Sequence, residues 1–465
     1  MGQFRGETMQ YKCITKVNAD RSDVFEWFER RGSFRRLMPP WEIAEEVRSD
    51  ETLQNGAKRI FRFPLGPVKM TWVAEHLGYQ PPEKFEDVMV KGPFKSWHHK
   101  HHFENMGDGQ CHVIDDVEYK LPMGLLGKLV AGRSIKKRLD RMFRARSQRL
   151  IRDMGQHEIH RDKSRKRILI AGASGLIGKQ LVAFLDTGGH DIWRLVRHNP
   201  NPKNQEIFWN PKDEILNPKL IEGFDVVIHL GGAGIGDKRW SRSRMKIIES
   251  SRIESTTLLA KTLANLSNKP ELFMVASAIG WYGNRGDEIL TEESESGTGY
   301  LPDVCAAWES SAAAAKNAGI RTIHLRTGVV LDATGGALSK MLLPAKLGAG
   351  GPIGRGRQWL SWISMDDEVY AIHHLLMTLD TEGVYNIVSP NPIKQKQFAK
   401  ELGRVLRRPA FIPTPPFGVW LLFGKMGIAL TTESQRVTPN RLLDSGYKFQ
   451  HENLDGALRD TLGMW

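Results

Sequence analysis

Arg167-Ile-Leu-Ile-Ala-Gly-Ala-Ser-Gly-Leu-Ile-Gly178 decides how most of this chain folds. An apolar run, 168–171, ends in three glycines spaced Gly172-x-x-Gly175-x-x-Gly178, and an amphipathic stretch, 176–185, follows at once. That is the strand, turn and helix needed to set a pyrophosphate on a helix N-terminus. Gly172 permits the tight turn, Gly175 lets the backbone approach the phosphates, and Gly178 lets the helix pack on the strand. Three glycines alone are a weak signal; their place between strand and helix makes this one specific. Ser174, Leu176 and Ile177 complete the expected phosphate loop.

The next strand is predicted over 191–196 and ends at Arg197, nineteen residues past Gly178. An NAD-binding chain usually carries Asp or Glu there for the ribose hydroxyls. A basic residue with no acid at the tip suits the 2′-phosphate of NADP instead.

At 465 residues, two or three domains are expected. Cys13, Cys111 and Cys305 are odd in number and far apart, so neither a disulfide framework nor a zinc spacing is expected, and a reducing, cytoplasmic setting fits. The N-terminus lacks a signal-peptide core. The apolar stretch 417–430 is too short to span a bilayer and contains Lys425. The net charge of +13 is uneven: residues 1–166 hold 32 Lys+Arg against 23 Asp+Glu, and 167–465 hold 34 against 30. The excess concentrates in 133–152, where Ile135, Leu139, Met142, Phe143 and Leu150 recur near helical spacing. This reads as a packed amphipathic helix with a solvated basic face. No nucleic-acid motif accompanies it, so no nucleic-acid partner is expected.

Before the glycine motif the predicted order is a strand (11–17), a helix (22–30), strands at 57–63, 68–76, 85–90, 96–103 and 112–119, then the basic helix. This order, with Gly92-Pro93-Phe94-x-x-Trp97 and Asp116-x-x-x-Tyr119-x-Leu121-Pro122, resembles the START-like, or polyketide cyclase/dehydrase-like, helix-grip domain. The resemblance implies a curved antiparallel sheet wrapped round a long C-terminal helix, enclosing a cavity for an apolar ligand. His98, His99, His101 and His102 invite a metal reading, but alternation puts His98 and His102 on one face and His99 and His101 on the other. No carboxylate at matching spacing completes a set, so no metal is expected.

A charged linker is predicted over 156–166. Beyond it, strands are predicted at 167–171, 191–196, 225–230, 272–277 and 321–326, and helices at 176–187, 243–266, 303–317 and 367–379. That alternation is a doubly wound α/β domain. Further strings follow: Arg239-Trp240, Ser251-Arg252, Ser277-x-x-Gly280-x-Tyr282-Gly283, Trp308-Glu309, Arg326-Thr327-Gly328-Val329-Val330-Leu331 and the Gly-rich run 350–362. With the glycine motif they identify 167–462 as similar to an atypical extended short-chain dehydrogenase/reductase of the epimerase family, with the family's small domain of unknown function after residue 413. The resemblance implies NADP(H) contacts at Arg197, Leu230, Gly231, Arg252 and Val330 besides the glycine loop. The expected boundaries are 1–155, START-like; 156–166, linker; 167–412, Rossmann; and 413–465.

Extended reductases normally use Tyr-x-x-x-Lys, the tyrosine transferring a proton. Counted back from Glu309, that pair falls on Leu301 and Cys305, neither of which can do the chemistry, and the usual helix asparagine falls on Arg252. Ser277 survives plausibly, and Tyr282 is the nearest replacement phenol. Arg355 and Arg357, with the flat faces of Trp359 and Trp362, form the expected substrate-facing loop. Asp366 and Asp367 are expected to cap the following helix with Ser364. Two functions fit: an NADP(H)-dependent oxidoreductase or epimerase-like enzyme acting on a small molecule, or a silent NADP(H)-binding protein that couples cofactor occupancy to lipid or partner binding.

Overall fold

The computed structural model describes residues 8–65, 68–122, 124–413 and 431–465. The apolar stretch 417–430 lies outside the described residues. Two compact units divide the chain: Met1–Ser164 with Ala183–Gly189, and Arg165–Val182 with His190–Trp465.

The first unit contains β1 (Met9–Val17), α1 (Arg21–Glu29), α2 (Ser33–Leu37), β2 (Glu45–Ser49), β3 (Lys58–Leu65), β4 (Val68–Gln80), β5 (Lys84–Lys91), β6 (Ser96–Gly107), β7 (Gln110–Lys120) and α3 (Gly124–Glu158). The seven strands form one antiparallel sheet in the order β1-β7-β6-β5-β4-β3-β2. Alternation sets its inner face: on β6, Trp97, His99, His101 and Phe103 are buried while their neighbours are less so. On α3, Leu139, Phe143, Leu150 and Met154 fall on one helical stripe and are buried. Phe143 stacks on Tyr11 of β1 at 5.1 Å. Helix α1 buries Val24, Phe25, Trp27 and Phe28, and both phenylalanines meet Phe103 at 5.0–5.2 Å. This is the helix-grip arrangement expected from the element order. Two short elements were not expected. Strand β2, Glu-Glu-Val-Arg-Ser, is almost wholly exposed at the sheet edge and shows no alternation to read. Helix α2 is held through Arg36, whose guanidinium makes a bidentate buried pair with Asp153 of α3 at 2.6 and 2.8 Å.

The second unit begins with β8 (Arg167–Ala171) and α4 (Leu176–Thr187), whose last residues, from Ala183, are counted with the first unit. It continues through β9 (Asp191–Val196), β10 (Glu206–Asn210), β11 (Ile215–Leu216), β12 (Val226–His229), α5 (Arg242–Ala264), β13 (Leu272–Ala278) and β14 (Ile289–Leu290). Then come α6 (Tyr300–Ser310), α7 (Ala313–Asn317), β15 (Arg321–Thr327), β16 (Val329–Leu331), α8 (Gly336–Lys346), β17 (Trp359–Leu360), β18 (Trp362–Ser364) and α9 (Met365–Met377). The last elements are β19 (Gly383–Ile387), β20 (Ile393–Lys394), α10 (Gln395–Leu406), β21 (Arg436–Val437), α11 (Asn440–Asp444) and α12 (Leu454–Leu462). Its main sheet runs β11-β10-β9-β8-β12-β13-β15-β19, and all neighbours pair in parallel except β11. The five predicted strands are its centre. They are continuous apolar runs because helices cover both faces of such a sheet. The single helix predicted over 303–317 is two, broken at Ser311 and Ala312. Helix α12 packs Leu454, Ala457, Leu458 and Leu462 into the core formed by α8 and α10.

Candidate functional site

Chain order on the parallel sheet reverses between β8 and β12, the point where such sheets leave a crevice outside their carboxyl ends. Gly172 leaves β8 with φ 85°, which side-chain-bearing residues rarely adopt. A Cβ there would also come within 2.7 Å of the Leu230 carbonyl carbon and Gly231 nitrogen, so the two strand ends meet only across a glycine. A Cβ on Gly178 would lie 2.2 Å from the Gly172 oxygen. Ser174 and Gly175 are exposed, and Leu176 and Ile177 start α4, where backbone N–H groups lack intrahelical acceptors. An open turn and the positive end of a helix thus face the crevice.

His229, at the end of β12, was missed by sequence reading. It is fully buried, and burial together with the Arg252 charge pushes its pKa down to about 3. The ring is therefore neutral. Its Nδ1, 3.2 Å from the Gly231 nitrogen, accepts that N–H, which leaves Nε2 to donate to Ser255 Oγ at 2.8 Å. The ring so fixes the Leu230–Gly231 turn against Gly172. The string His229-Leu230-Gly231-Gly232 at a parallel strand end was the signal available.

Arg252, on α5, is 7% exposed. It donates to the carbonyls of Ala233 and Ile248 at 3.0 and 2.8 Å and lies over the Trp308 ring at 4.9 Å. Among the described residues no carboxylate pairs with it. The loop it holds is gripped by two more cations: Arg244 donates to Gly234 O and Lys340 to Gly236 O. Arg197 is exposed just past β9, again with no carboxylate partner among the described residues. Val330 lies on β16, half-buried. The loop after β16 is tied by Asp332, which accepts from the Thr334 and Gly335 nitrogens, and it reaches Leu176: a Cβ on Gly335 would lie 2.7 Å from that side chain. Residues distant in sequence thus converge on the glycine turn.

Ser277 and Tyr282, the expected proton-transfer pair, belong to a closed network. Ser277 Oγ donates to Glu309 Oε1 at 2.6 Å. Arg326 grips the same carboxylate through Nε at 2.8 Å and Nη2 at 3.0 Å, and its Nη1 donates to the Tyr282 hydroxyl at 3.1 Å. Tyr282 in turn donates to Asn386 Oδ1 at 2.7 Å. The tyrosine is fully buried, and burial pushes its pKa up to about 12 despite Arg326. Every polar atom in this ring already has a protein partner, which suits a clamp across β13, β15 and β19 rather than an acid facing a ligand. Tyr300 lies one residue before Leu301, the position that the spacing from Glu309 gives for the usual tyrosine. It opens α6, is half-buried, meets Trp240 edge-on at 5.0 Å and donates to Met245 O at 2.9 Å. Its pKa is raised, burial and Glu249 outweighing the opposing charges of Arg252 and Arg244. Cys305 is buried with its pKa pushed up to about 12 by burial, an inert thiol.

In the expected substrate loop, Arg355 and Arg357 are exposed. Trp359 lies between the cations of Lys394 and Arg436 at 5.1 and 4.5 Å, and its Nε1 donates to Asp287. Trp362 corrects the expectation: it is fully buried in the core of α8, α10 and α12, with Nε1 donating to Asn391 O at 3.1 Å, and offers no face to a substrate. Ser364 caps α9, accepting from the Asp367 nitrogen at 3.0 Å. In the first unit, His99 and His101 do point inward, away from His98 and His102. The expectation that no carboxylate joins them fails, because cross-strand pairing brings Asp87 and Asp115 to the same face. Among the described residues no helix is long and apolar enough to cross a membrane.

The sheet order and the glycine turn at its switch point define a Rossmann domain of the short-chain dehydrogenase/reductase type. Residues 168–388 match the NAD dependent epimerase/dehydratase family, residues 17–143 the polyketide cyclase / dehydrase and lipid transport family, and 414–461 a domain of unknown function. The chain belongs to the epimerase family. An epimerase family protein of Mycobacterium bovis is 34% identical over 291 residues, which are 63% of this chain and 96% of that one. The structure of a Corynebacterium glutamicum protein described as a nucleoside-diphosphate sugar epimerase is 32% identical with a TM-score of 0.80, covering 97% of this chain and 90% of that one. The human epimerase family protein SDR39U1, whose structure was determined with NADPH, is 30% identical with a TM-score of 0.58, covering 63% of this chain and 98% of its own.

Proposed function

We propose that this chain binds NADP(H) at the turn between β8 and α4 and uses it in oxidoreductase or epimerase-type chemistry on a small molecule. The observation that carries the reading is the cradle at Gly172. Its left-handed turn against Leu230–Gly231 is closed by the Gly175 N–H on the Gly172 carbonyl at 3.0 Å, and it leaves Ser174 and Gly175 exposed beside the α4 N-terminus, where a pyrophosphate would sit. Arg197 would take the 2′-phosphate, and NADPH in the human relative supports that choice. Leu230, Gly231 and Val330 would line the nicotinamide side, with Arg252 holding the loop beside them. The cofactor supplies hydride transfer; this chain supplies binding, orientation and a proton donor. The donor we assign is Tyr300, the phenol within reach of the Arg252 and Arg244 charges, whose hydroxyl bonds Met245 O alone among the described residues. The Corynebacterium relative makes a nucleoside-diphosphate sugar the first substrate class to test, and Arg355 and Arg357 suit its charge.

Calorimetric titration with NADPH tests the cofactor, and absence of binding overturns the reading. Incubation with nucleoside-diphosphate sugars and carbonyl compounds tests turnover. The second reading, a silent NADP(H)-binding protein, is favoured by Leu301 and Cys305 in the usual catalytic places and by the engaged hydroxyls of Ser277 and Tyr282. NADPH binding without turnover of any class would select it. In either case, the lipid-transport description of the matching family supports a small apolar ligand for the first unit.

A further inference from the structure

On β6, His99 and His101 share the inward face, and the register sets Asp87 of β5 opposite His99 and Asp115 of β7 opposite His101. His99, His101 and Asp115 are 4, 3 and 5% exposed. Asp115 Oδ1 lies 3.0 Å from both His99 Nε2 and His101 Nδ1. Asp87 Oδ2 lies 3.4 Å from both His99 Nδ1 and His101 Nε2. Only the His99 Nε2 contact to Asp115 has the alignment of a hydrogen bond; His101 Nδ1 is buried without one. One strand further, His76 stands opposite Asp87, buried, and its Nδ1 also lacks a partner.

A neutral imidazole has one N–H and one lone pair. With the His99 N–H on Nε2 bonded to Asp115, and the His101 N–H placed on Nδ1, 3.0 Å from the same oxygen, His99 Nδ1 and His101 Nε2 present lone pairs toward Asp87 Oδ2, which carries lone pairs of its own. Three lone pairs directed into one volume repel unless a cation lies among them. The two 3.4 Å separations match the edge of a tetrahedron built on metal–ligand bonds of about 2.0–2.1 Å. One donor atom from each of Asp87, His99 and His101 lies within 4.8 Å of the others. Phe85, stacked on His101 at 4.2 Å, and Phe143, edge-on to His99 at 5.5 Å, hold the rings in place and exclude water from two sides.

We propose that Asp87, His99 and His101 bind a divalent transition-metal ion of the zinc class inside the first unit. Asp115 fixes the imidazole tautomers from outside the coordination sphere, and the remaining position is left for water or a ligand oxygen. Nothing in the NADP(H) reading depends on this site.

The test uses untagged full-length protein, stripped with chelator and desalted, then titrated with ZnCl2 and separately with CoCl2. One equivalent of zinc should survive gel filtration and raise Tm, and cobalt should give the visible d–d absorption of a low-coordinate nitrogen–oxygen site. Asp87→Asn and His101→Gln should each weaken binding by about 100-fold or more and abolish the cobalt band. His98→Ala with His102→Ala, on the opposite face of the same strand, should change neither. Near-UV circular dichroism confirms that each variant is folded. Should an inward variant unfold, the wild-type stoichiometry and the outward control still decide. Folded wild-type protein that takes up no stoichiometric metal overturns the proposal, and a shared proton then holds the cluster together. Uptake that persists in a folded inward variant, or is lost in the outward control, overturns it as well.

Discussion

Arg197 is the position where we propose that one side chain sets cofactor preference. It is exposed beyond β9 with no acid beside it among the described residues, so its charge is available to a phosphate. A charge-assisted pair contributes about 1.5–3 kcal/mol, and NADPH should therefore bind more tightly than NADH by about 10- to 100-fold. Arg197→Ala should erase most of that difference; equal affinities in the unmutated protein would sink the assignment. The two tyrosines separate in the same way. Tyr282→Phe strands Arg326 Nη1 and Asn386 Oδ1 in a buried network, a loss of about 1–3 kcal/mol in stability, with NADPH affinity unchanged. Tyr300→Phe should leave Tm nearly unchanged and, once a substrate is found, lower turnover by about 10²–10⁴. Turnover lost in Tyr282→Phe but intact in Tyr300→Phe would reverse the two roles. At this scale the glycine turn was legible because its spacing is fixed by local geometry. His229, Tyr300 and the ring around Glu309 were not, since partners such as Asn386 come from distant strands.

Helix α9 shows how one element joins core to surface chemistry. Its first turn carries Asp366, Asp367 and Glu368, all buried. Ser364 and Asp367 fill the expected cap together, the Ser364 hydroxyl accepting from the Asp367 nitrogen and donating to its carboxylate at 2.6 Å, and that carboxylate also accepts from the Tyr447 hydroxyl and the Gln450 and His451 nitrogens, anchoring the C-terminal segment. Glu368 accepts from the Thr327 hydroxyl at 3.0 Å, and its other oxygen is buried with no partner among the described residues. Burial raises its pKa to about 8, the Thr327 bond only partly opposing it. A carboxyl whose folded pKa lies above its unfolded value contributes stability that is fully present below about 4.5 and is lost as pH rises through about 8. His451 acts in the same direction. Burial lowers its pKa, but bonds to Asp367 and Asp460 outweigh that and bring it to about 9. Its contribution is complete below about 6.5 and is lost as pH rises through about 9. Tm should therefore fall between pH 6 and 9, and Glu368→Gln, which keeps an acceptor for Thr327, should gain on wild type as pH rises. A Tm difference independent of pH over that range would reject the raised carboxyl. Long apolar elements such as β8, α4, β12 and α5 were legible within a few residues. Strands such as β2, β10 and β16–β20 were not, because they are as short as β8 and β12 but lack the unbroken buried apolar run that marks those two.

For the whole molecule, element order was sufficient to separate an antiparallel helix-grip unit from a parallel Rossmann unit, since periods of two and 3.6 and the glycine punctuation differ along the chain. What spacing along one strand cannot show is pairing across strands, which is why Asp87 and Asp115 were missed beside the histidines. The same logic yields a prediction about where the cofactor site is built. The glycine turn, Arg197, the 230–231 turn, Arg252 and Val330 all lie in 167–330, within the second unit. The mycobacterial relative matches over 96% of its own length while covering 63% of this chain, so a protein of that extent stands alone in the family. A fragment from Arg165 to Trp465 should melt cooperatively and bind NADPH with an affinity within about threefold of the full chain, a difference below 1 kcal/mol. It should also take up no stoichiometric zinc, since Asp87, His99 and His101 are absent from it. A folded fragment that binds NADPH more than about tenfold more weakly would show that residues before 165 contribute to the cofactor site.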